Sequence, residues 1–124
     1  AYVTLDGNVK GIIMRRRDII IGGESQVTST FNNNKLEKAF KNIIGSLNLY
    51  GHVILQAIVS NQGNLFVIEC NPRFGGASTL SLRAGLDSFY WAYLESMGSS
   101  IKNYTFLNSH KEIKQVRHPH DYYL

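Results

Sequence analysis

Apolar and polar residues recur along the chain with periods that predict both strands and helices. Two runs, residues 2–5 and 9–17, flank Asp6-Gly7, a strong turn signal, and predict a β-hairpin. Residues 22–33 are rich in Gly, Ser, Thr and Asn and predict a loop. A second hairpin is predicted from strands 52–60 and 65–71, which enclose a turn.

Helical periodicity follows each hairpin. Six apolar residues fall at i, i+3, i+4, i+7, i+8 and i+11 and predict one amphipathic helix: Leu36, Ala39, Phe40, Ile43, Ile44 and Leu47. Asn33 or Asn34 can cap its start. Residues 79–84 and 87–97 predict a short and a longer helix, and 112–117 and 122–124 predict strands. The hairpins predict an α+β fold, a mainly antiparallel sheet with helices packed on one face.

Composition and charge narrow the function classes. The 124 residues suffice for one small domain, and no apolar run approaches the roughly 20 residues of a membrane helix. The single cysteine excludes an internal disulfide framework and favours a reducing, cytoplasmic compartment. A net charge of +4 and scattered tyrosines argue against a nucleic-acid surface. The chain starts without Met and without a signal peptide, so we expect a piece of a longer protein.

The second hairpin carries the candidate chemistry. If its turn sets a regular register, the numbers of facing residues add up to 125, and Gln56 faces Glu69 with Cβ atoms about 4.5–5.5 Å apart. Asn71 lies two residues beyond Glu69 and therefore on the same face. The opposite face is apolar and should pack on the helices: Leu55, Ala57, Val59, Phe66, Ile68 and Cys70. We therefore expect Cys70 to be a buried, inert thiol.

These oxygen-bearing side chains suit a metal that is shared with a polyphosphate. Mg²⁺ takes hard oxygen ligands and keeps positions for substrate phosphates, and one carboxylate beside amides avoids repelling that anion. Arg73 could neutralise a transferring phosphoryl group. Gly75 and Gly76 allow backbone N–H groups to approach an anion closely. The alternative is a polar sheet face that only meets solvent, which is the usual state of an antiparallel sheet.

Other polar residues have simpler interpretations. Ser78 and Ser81 are predicted to serve in capping and packing, because no His and acid stand around them in a triad pattern. His118 and His120 flank Pro119, but no third metal ligand stands nearby. Arg15 and Arg17 share one face at the end of a predicted strand, where basic residues also protect an exposed edge.

The motif E-x-N-P-R-x-G-G after a hydrophobic strand, with a Gln on the preceding strand, resembles the C-terminal half of the ATP-grasp fold. The similarity is greatest to the large subunit of carbamoyl-phosphate synthase and related short carboxylate–amine ligases. The stretches RRRDIIIGGES, VILQAIV, FVIECNPRFGG and TLSLRAGLD follow the order of that family. The resemblance covers about residues 1–101, which implies an ATP-grasp lobe followed by an extension, 102–124, with strands.

The resemblance implies roles for named residues. Glu69 and Asn71 would ligate the Mg²⁺ of Mg-ATP (or Mn²⁺ in its place), Gln56 would contact metal or phosphate, and Arg73 would bind the phosphate that moves. Arg15 and Arg17 would reach the substrate carboxylate or its acylphosphate, and Glu24 matches a loop near the substrate. Gly75 and Gly76 would approach the nucleotide. The implied reaction joins a small carboxylate to an amine through an acylphosphate.

No segment of the sequence resembles the other ATP-grasp lobe. We therefore expect the chain to carry half of an active site and to be inactive alone. The expected partners are that N-terminal lobe and two small-molecule substrates, with no nucleic acid and no membrane; homo-oligomer formation is left open. Two alternatives remain at this point. One is a non-catalytic ligand-binding or assembly domain, and the other is a peptide-type ligase or biotin-dependent carboxylase of the same superfamily.

Overall fold

The computed structural model describes residues 1–108 and 111–118. Within them the chain forms eight strands and three helices, and every strand pairing is antiparallel. The elements are β1 Tyr2–Val3, β2 Val9–Gly11, β3 Met14–Ile21, β4 Glu24–Phe31, α1 Asn34–Gly45, β5 Gly51–His52, β6 Ile54–Val59, β7 Leu65–Asn71, α2 Ser78–Arg83, α3 Ser88–Ser96 and β8 Lys114–Val116. The sheets run β2-β1-β5, β3-β4-β8 and β6-β7. The predicted α+β class is confirmed.

The predicted loop over 22–33 is wrong, because most of it is the strand β4. Its residues pair with β3 along nearly the whole length, from Met14 opposite Phe31 to Ile21 opposite Glu24. The turn is confined to Gly22 and Gly23, whose φ angles of +58° and +82° favour glycine. Ser and Thr suggested a loop, but backbone pairing on two sides outweighs that weak preference.

The first hairpin is confirmed, but its second strand is shorter than predicted. β1 and β2 pair across a turn in which Gly7 has a φ of +79°. The chain then leaves this sheet at the buried Ile12 and Ile13, and β3 begins a different sheet. Arg15 and Arg17 therefore lie near the start of a strand, not at the end of one as predicted.

The helix α1 confirms the prediction from apolar spacing. It begins at Asn34, and the Asn33 side chain accepts a hydrogen bond from the Leu36 N–H at 3.1 Å, which caps it. Its apolar stripe packs against a core cluster through Leu36, Phe40 and Ile44. The predicted helices after the second hairpin are confirmed as α2 and α3.

The short strand β1 separates two core clusters. Tyr2 and Val3 are consecutive, so their side chains point to opposite faces, and each is 1% exposed. Tyr2 packs with Leu86, Trp91 and other residues near α3, and Val3 packs with the residues around α1. None of the helices in the described ranges has the length and apolarity needed to cross a membrane.

The segment after α3 packs back onto the body of the chain. A Cβ added to Gly11 would lie 2.8 Å from Cγ of Phe106, so that ring rests directly on the β2 backbone. β8 lies within the predicted strand 112–117 and pairs with β4. The predicted strand 122–124 and His120 lie outside the described residues. The division of the chain at residue 101 stays a prediction.

A buried imidazole connects β5 to the loop that follows β7. His52 is 6% exposed, and its Nδ1 and Nε2 lie 2.9 Å and 3.2 Å from the hydroxyls of Ser88 and Ser78. Its ring lies 4.4 Å from that of Phe74, which stacks on Phe89. Burial, together with the positive charges of the Ala1 amine and of Arg15, lowers the pKa of His52 to about 3.

This pKa makes the stability of the fold pH-dependent. An unfolded histidine titrates near pH 6.5, so its contribution to stability is complete above that pH and is lost as the pH falls towards 3. Between pH 7.5 and 5.5 the unfolding free energy should fall by about 1 kcal/mol more in the wild type than in His52→Gln, allowing for solvent screening. Urea unfolding of both proteins at the two pH values measures this difference in unfolding free energy.

The matched control is Gln62→Asn in the exposed turn of the second hairpin, which removes no titratable group. It should keep the wild-type pH dependence. Equal pH dependence in the wild type and in His52→Gln would contradict a buried neutral imidazole.

Candidate active site

The pairing of Gln56 with Glu69 across the β6–β7 hairpin is confirmed, but the register changes beyond it. Gln56 faces Glu69, whereas Ala57 faces Val67. β7 therefore has one extra residue here, Ile68, and forms a β-bulge. From the bulge to the turn, the facing pairs are shifted by one residue from the predicted register.

The bulge also corrects the predicted apolar face. Below it, Leu55 and Cys70 pack against the core as expected, and burial raises the pKa of the Cys70 thiol. Beyond it, Val59, Phe66 and Ile68 are 45–56% exposed and do not pack on the helices. This part of the hairpin projects away from both core clusters, and within the described ranges no third strand joins it.

The start of β3 brings two arginines to the base of the hairpin. Arg17 donates a hydrogen bond of 3.3 Å to the amide oxygen of Gln56. Arg15 donates to the Ala77 carbonyl in the loop after β7, and burial lowers its pKa. Arg16 instead forms an ion pair of 2.7 Å with Asp18. The predicted pair, Arg15 and Arg17, therefore contacts the other candidate elements.

The turn between β3 and β4 is held by arginines on both sides. Arg17 donates to the Gly23 carbonyl and, at 2.7 Å, to the Ser25 hydroxyl. The carboxylate of Glu24, between them, forms an ion pair of 3.1 Å with Arg117. Since both side chains are exposed, this pair contributes only about 0.2–1 kcal/mol to stability.

The loop after β7 depends on its two glycines for close approach by other side chains. A Cβ on Gly75 would lie 2.5 Å from Cδ1 of Ile54, and one on Gly76 would lie 3.2 Å from Nη1 of Arg117. The Gly75 N–H donates to the Ser78 hydroxyl at 2.9 Å. Ser78 therefore orders the glycine loop, and with Ser81 it is buried, which fits the packing role predicted for both. The loop is therefore held by contacts with side chains of the same chain.

All of the sequence-predicted site residues line one cleft of about 1050 Å³. Its lining contains five arginines and two glutamates, so the cleft is positively charged and suits a polyanion. The predicted residues that it brings together are Arg15, Arg17, Glu24, Gln56, Glu69, Asn71, Arg73, Gly75 and Gly76. Arg73 is exposed on the loop, and its backbone N–H donates to the Asn71 carbonyl at 2.9 Å.

The oxygen-bearing side chains of the hairpin could hold a metal ion only together with oxygen ligands from other molecules. Over residues 1–108 and 111–118, no group of three or more His, Cys, Asp or Glu side chains could hold an ion. Glu69 and Asn71 offer a carboxylate and an amide oxygen at consecutive same-face positions of β7, and Gln56 offers a second amide opposite. Such a set is compatible with Mg²⁺ whose coordination is completed by phosphate and water.

Arg117 is a charged residue of the cleft that the sequence did not indicate. It follows β8, and its backbone N–H donates to the Gln26 carbonyl of β4 at 2.9 Å. The strand prediction included it, but nothing in the pattern showed that β8 would pair with β4. Its place in the site depends on that pairing.

The comparison with protein families agrees with this geometry. A family model described as "ATP-grasp in the biosynthetic pathway with Ter operon" matches residues 2–119. No curated protein matches the chain. Membership of an ATP-grasp family implies an ATP-binding enzyme of the ligase type. The chain belongs to the family of ATP-grasp proteins in the biosynthetic pathway with the Ter operon.

Proposed function

We propose that this chain is the Mg-ATP-binding half of an ATP-dependent carboxylate–amine ligase. The observation that carries the proposal is the single cleft into which the β6–β7 hairpin, the start of β3 and the glycine loop bring their polar residues. The three elements come from separate parts of the sequence, and their shared excess of positive charge suits the triphosphate of ATP. Solvated polar faces alone would not require this convergence.

Glu69 and Asn71 would hold Mg²⁺, and Gln56 would contact the metal or a phosphate oxygen. When bound, Mg²⁺ would neutralise phosphate charge during phosphoryl transfer. Glu69 is exposed and, within the described ranges, forms no ion pair, so its carboxylate can accept a cation from the cleft. The 3.3 Å hydrogen bond from Arg17 to the amide oxygen fixes the orientation of the Gln56 amide.

Arg73 and the glycine loop would bind the phosphate that is transferred. Arg73 follows Asn71 by two residues, and its exposed guanidinium can move to an incoming phosphate. The Gly76 backbone would approach the nucleotide, whereas the Gly75 N–H already donates to the Ser78 hydroxyl and orders the loop. Because Ser78 and Ile54 already hold the loop, little ordering would be needed when the ligand binds.

Arg15 and Arg17 would bind the reacting carboxylate, near Glu24. An oxygen of that carboxylate attacks the γ-phosphorus of ATP, and the bond to ADP breaks, which gives an acylphosphate. The nitrogen of an amine then attacks the acyl carbon, phosphate leaves, and the amine proton is released. Arginines can stabilise the negative charge throughout, since a guanidinium keeps its proton at any physiological pH.

The wider assignment follows from the same residues. We propose that residues 1–101 are the C-terminal lobe of an ATP-grasp unit similar to that of carbamoyl-phosphate synthase, and that a second lobe of the same protein completes the site. The arginine cluster and the paired glycines favour the short ligases over peptide-type ligases and biotin-dependent carboxylases. We propose a cytoplasmic location.

The metal assignment is tested by Glu69→Gln in the protein that carries both lobes. Loss of the carboxylate charge should reduce ATP turnover by about 100-fold or more, the size of effect produced by removing one group that stabilises transition-state charge. Circular dichroism and urea unfolding should show an unchanged fold, because the side chain is exposed. Phosphate release measures turnover.

Glu112→Gln is the matched control, since this exposed glutamate pairs with Arg16 and does not line the cleft. It should retain full turnover. A fully active Glu69→Gln protein would overturn the metal assignment.

The half-site proposal predicts that the 124-residue chain alone hydrolyses no ATP. Without the opposite lobe, the nucleotide would not be enclosed or protected from water. A sensitive phosphate-release assay with Mg²⁺ and ATP should give no signal above a Glu69→Gln control. Turnover that this control abolishes would mean that the chain carries a complete site.

A further inference from the structure

Arg117 connects three elements that line the cleft. Its backbone is bound to β4, its guanidinium pairs with Glu24 of the β3–β4 turn, and the same guanidinium lies over Gly76 of the glycine loop. A Cβ on Gly76 would lie 3.2 Å from Nη1 and 3.6 Å from Nη2, so both terminal nitrogens lie against the loop. The arginine therefore contacts the loop proposed for the nucleotide.

The ion pair with Glu24 leaves binding capacity unused. It joins one nitrogen, Nη1, to one oxygen, Oε2, at 3.1 Å, whereas a guanidinium can bind a carboxylate through two parallel hydrogen bonds. The Arg117 side chain is 38% exposed and that of Glu24 is 66% exposed, so solvent reaches both. An exposed pair with a single contact can be exchanged for a better ligand at little cost.

We propose that Arg117 is a substrate-binding residue that receives a carboxylate group of a substrate, and that Glu24 occupies this position in the free protein. This inference rests on the proposed ligase function. Glu24 is itself a carboxylate, so the structure shows the kind of group that this guanidinium accepts. An incoming carboxylate takes the place of the Glu24 carboxylate, and the exposed Glu24 side chain, at the start of β4 next to the two-glycine turn, moves away.

Charge distribution favours a carboxylate over a phosphate at this position. Arg117 lies against the glycine loop proposed for the transferred phosphate, and Glu24 adds a negative charge beside it, so a second anion bound there should carry little charge of its own. A phosphate brought to Arg117 would meet that negative charge with about twice its own, whereas a carboxylate carries one charge. The extra arginine thus provides a second anion position in the same cleft.

The test is a titration of the 124-residue chain with succinate and, separately, with inorganic phosphate, followed by the amide NMR signal of Gly76. Succinate should shift this signal. Arg117→Gln should weaken succinate binding at least tenfold, and Glu24→Gln, which removes the competing carboxylate, should tighten it several-fold. Arg117→Lys should bind with intermediate affinity, since it keeps the charge but loses the paired contacts.

Arg83→Gln on α2 is the matched control, because it removes the same charge outside the cleft and should bind succinate as the wild type does. Amide spectra of every variant report whether the fold is intact. Succinate binding that survives Arg117→Gln, or that is not improved by Glu24→Gln, would overturn the proposal. Phosphate binding that needs Arg117 while succinate does not bind would overturn the carboxylate assignment.

A parallel titration with Mg-ATP separates this inference from the function on which it rests. If Glu69→Gln weakens Mg-ATP binding while Arg117→Gln leaves succinate binding intact, only the Arg117 inference fails. If Arg117 governs succinate binding but Glu69→Gln binds Mg-ATP as the wild type does, the ligase proposal fails at its metal site, and Arg117 remains a carboxylate-binding residue.

Discussion

The backbone pairing of β4 with both β3 and β8 is the interaction on which the cleft depends. On one side, pairing with β3 places Arg17 against Gly23, Ser25 and Gln56. On the other side, pairing with β8 carries Arg117 to Glu24 and the glycine loop. Two segments that are nearly a hundred residues apart in sequence thereby contribute cations to one cavity. Without β4 as a strand, the β6–β7 hairpin would carry its carboxylate and amides alone.

Elements whose cause is local could be predicted from the sequence. The helix α1 follows from its apolar spacing and its Asn33 cap. The facing of Gln56 and Glu69 is also confirmed, but counting from the turn gives a register that is wrong by one residue there, and the pair holds because the bulge at Ile68 restores the register. The resemblance to the ATP-grasp fold located the rest of the candidate site, and the cleft contains every residue chosen. For these elements, local pattern and tertiary packing favour the same structure.

Elements whose cause is distant could not be predicted. The serines and threonines of β4 resemble a loop, and only pairing with two neighbours makes them a strand. Ile68 lies in an apolar run that is compatible with either strand register, so the sequence does not indicate the bulge. Arg117 reaches the cleft only because β8 returns to β4, and pairing between strands so far apart in sequence has no local signal.

The bulge at Ile68 has a further effect on how the hairpin could vary. It divides β7 into a base, whose register is held by Leu55 and Cys70 in the core, and an outer part that projects into solvent. Because a bulge already interrupts the ladder, a change in length at the turn can be absorbed in the outer part without moving Glu69 relative to Gln56. The outer hairpin is therefore free to diverge in length and sequence, or to be used for recognition, while the chemistry at its base stays in place.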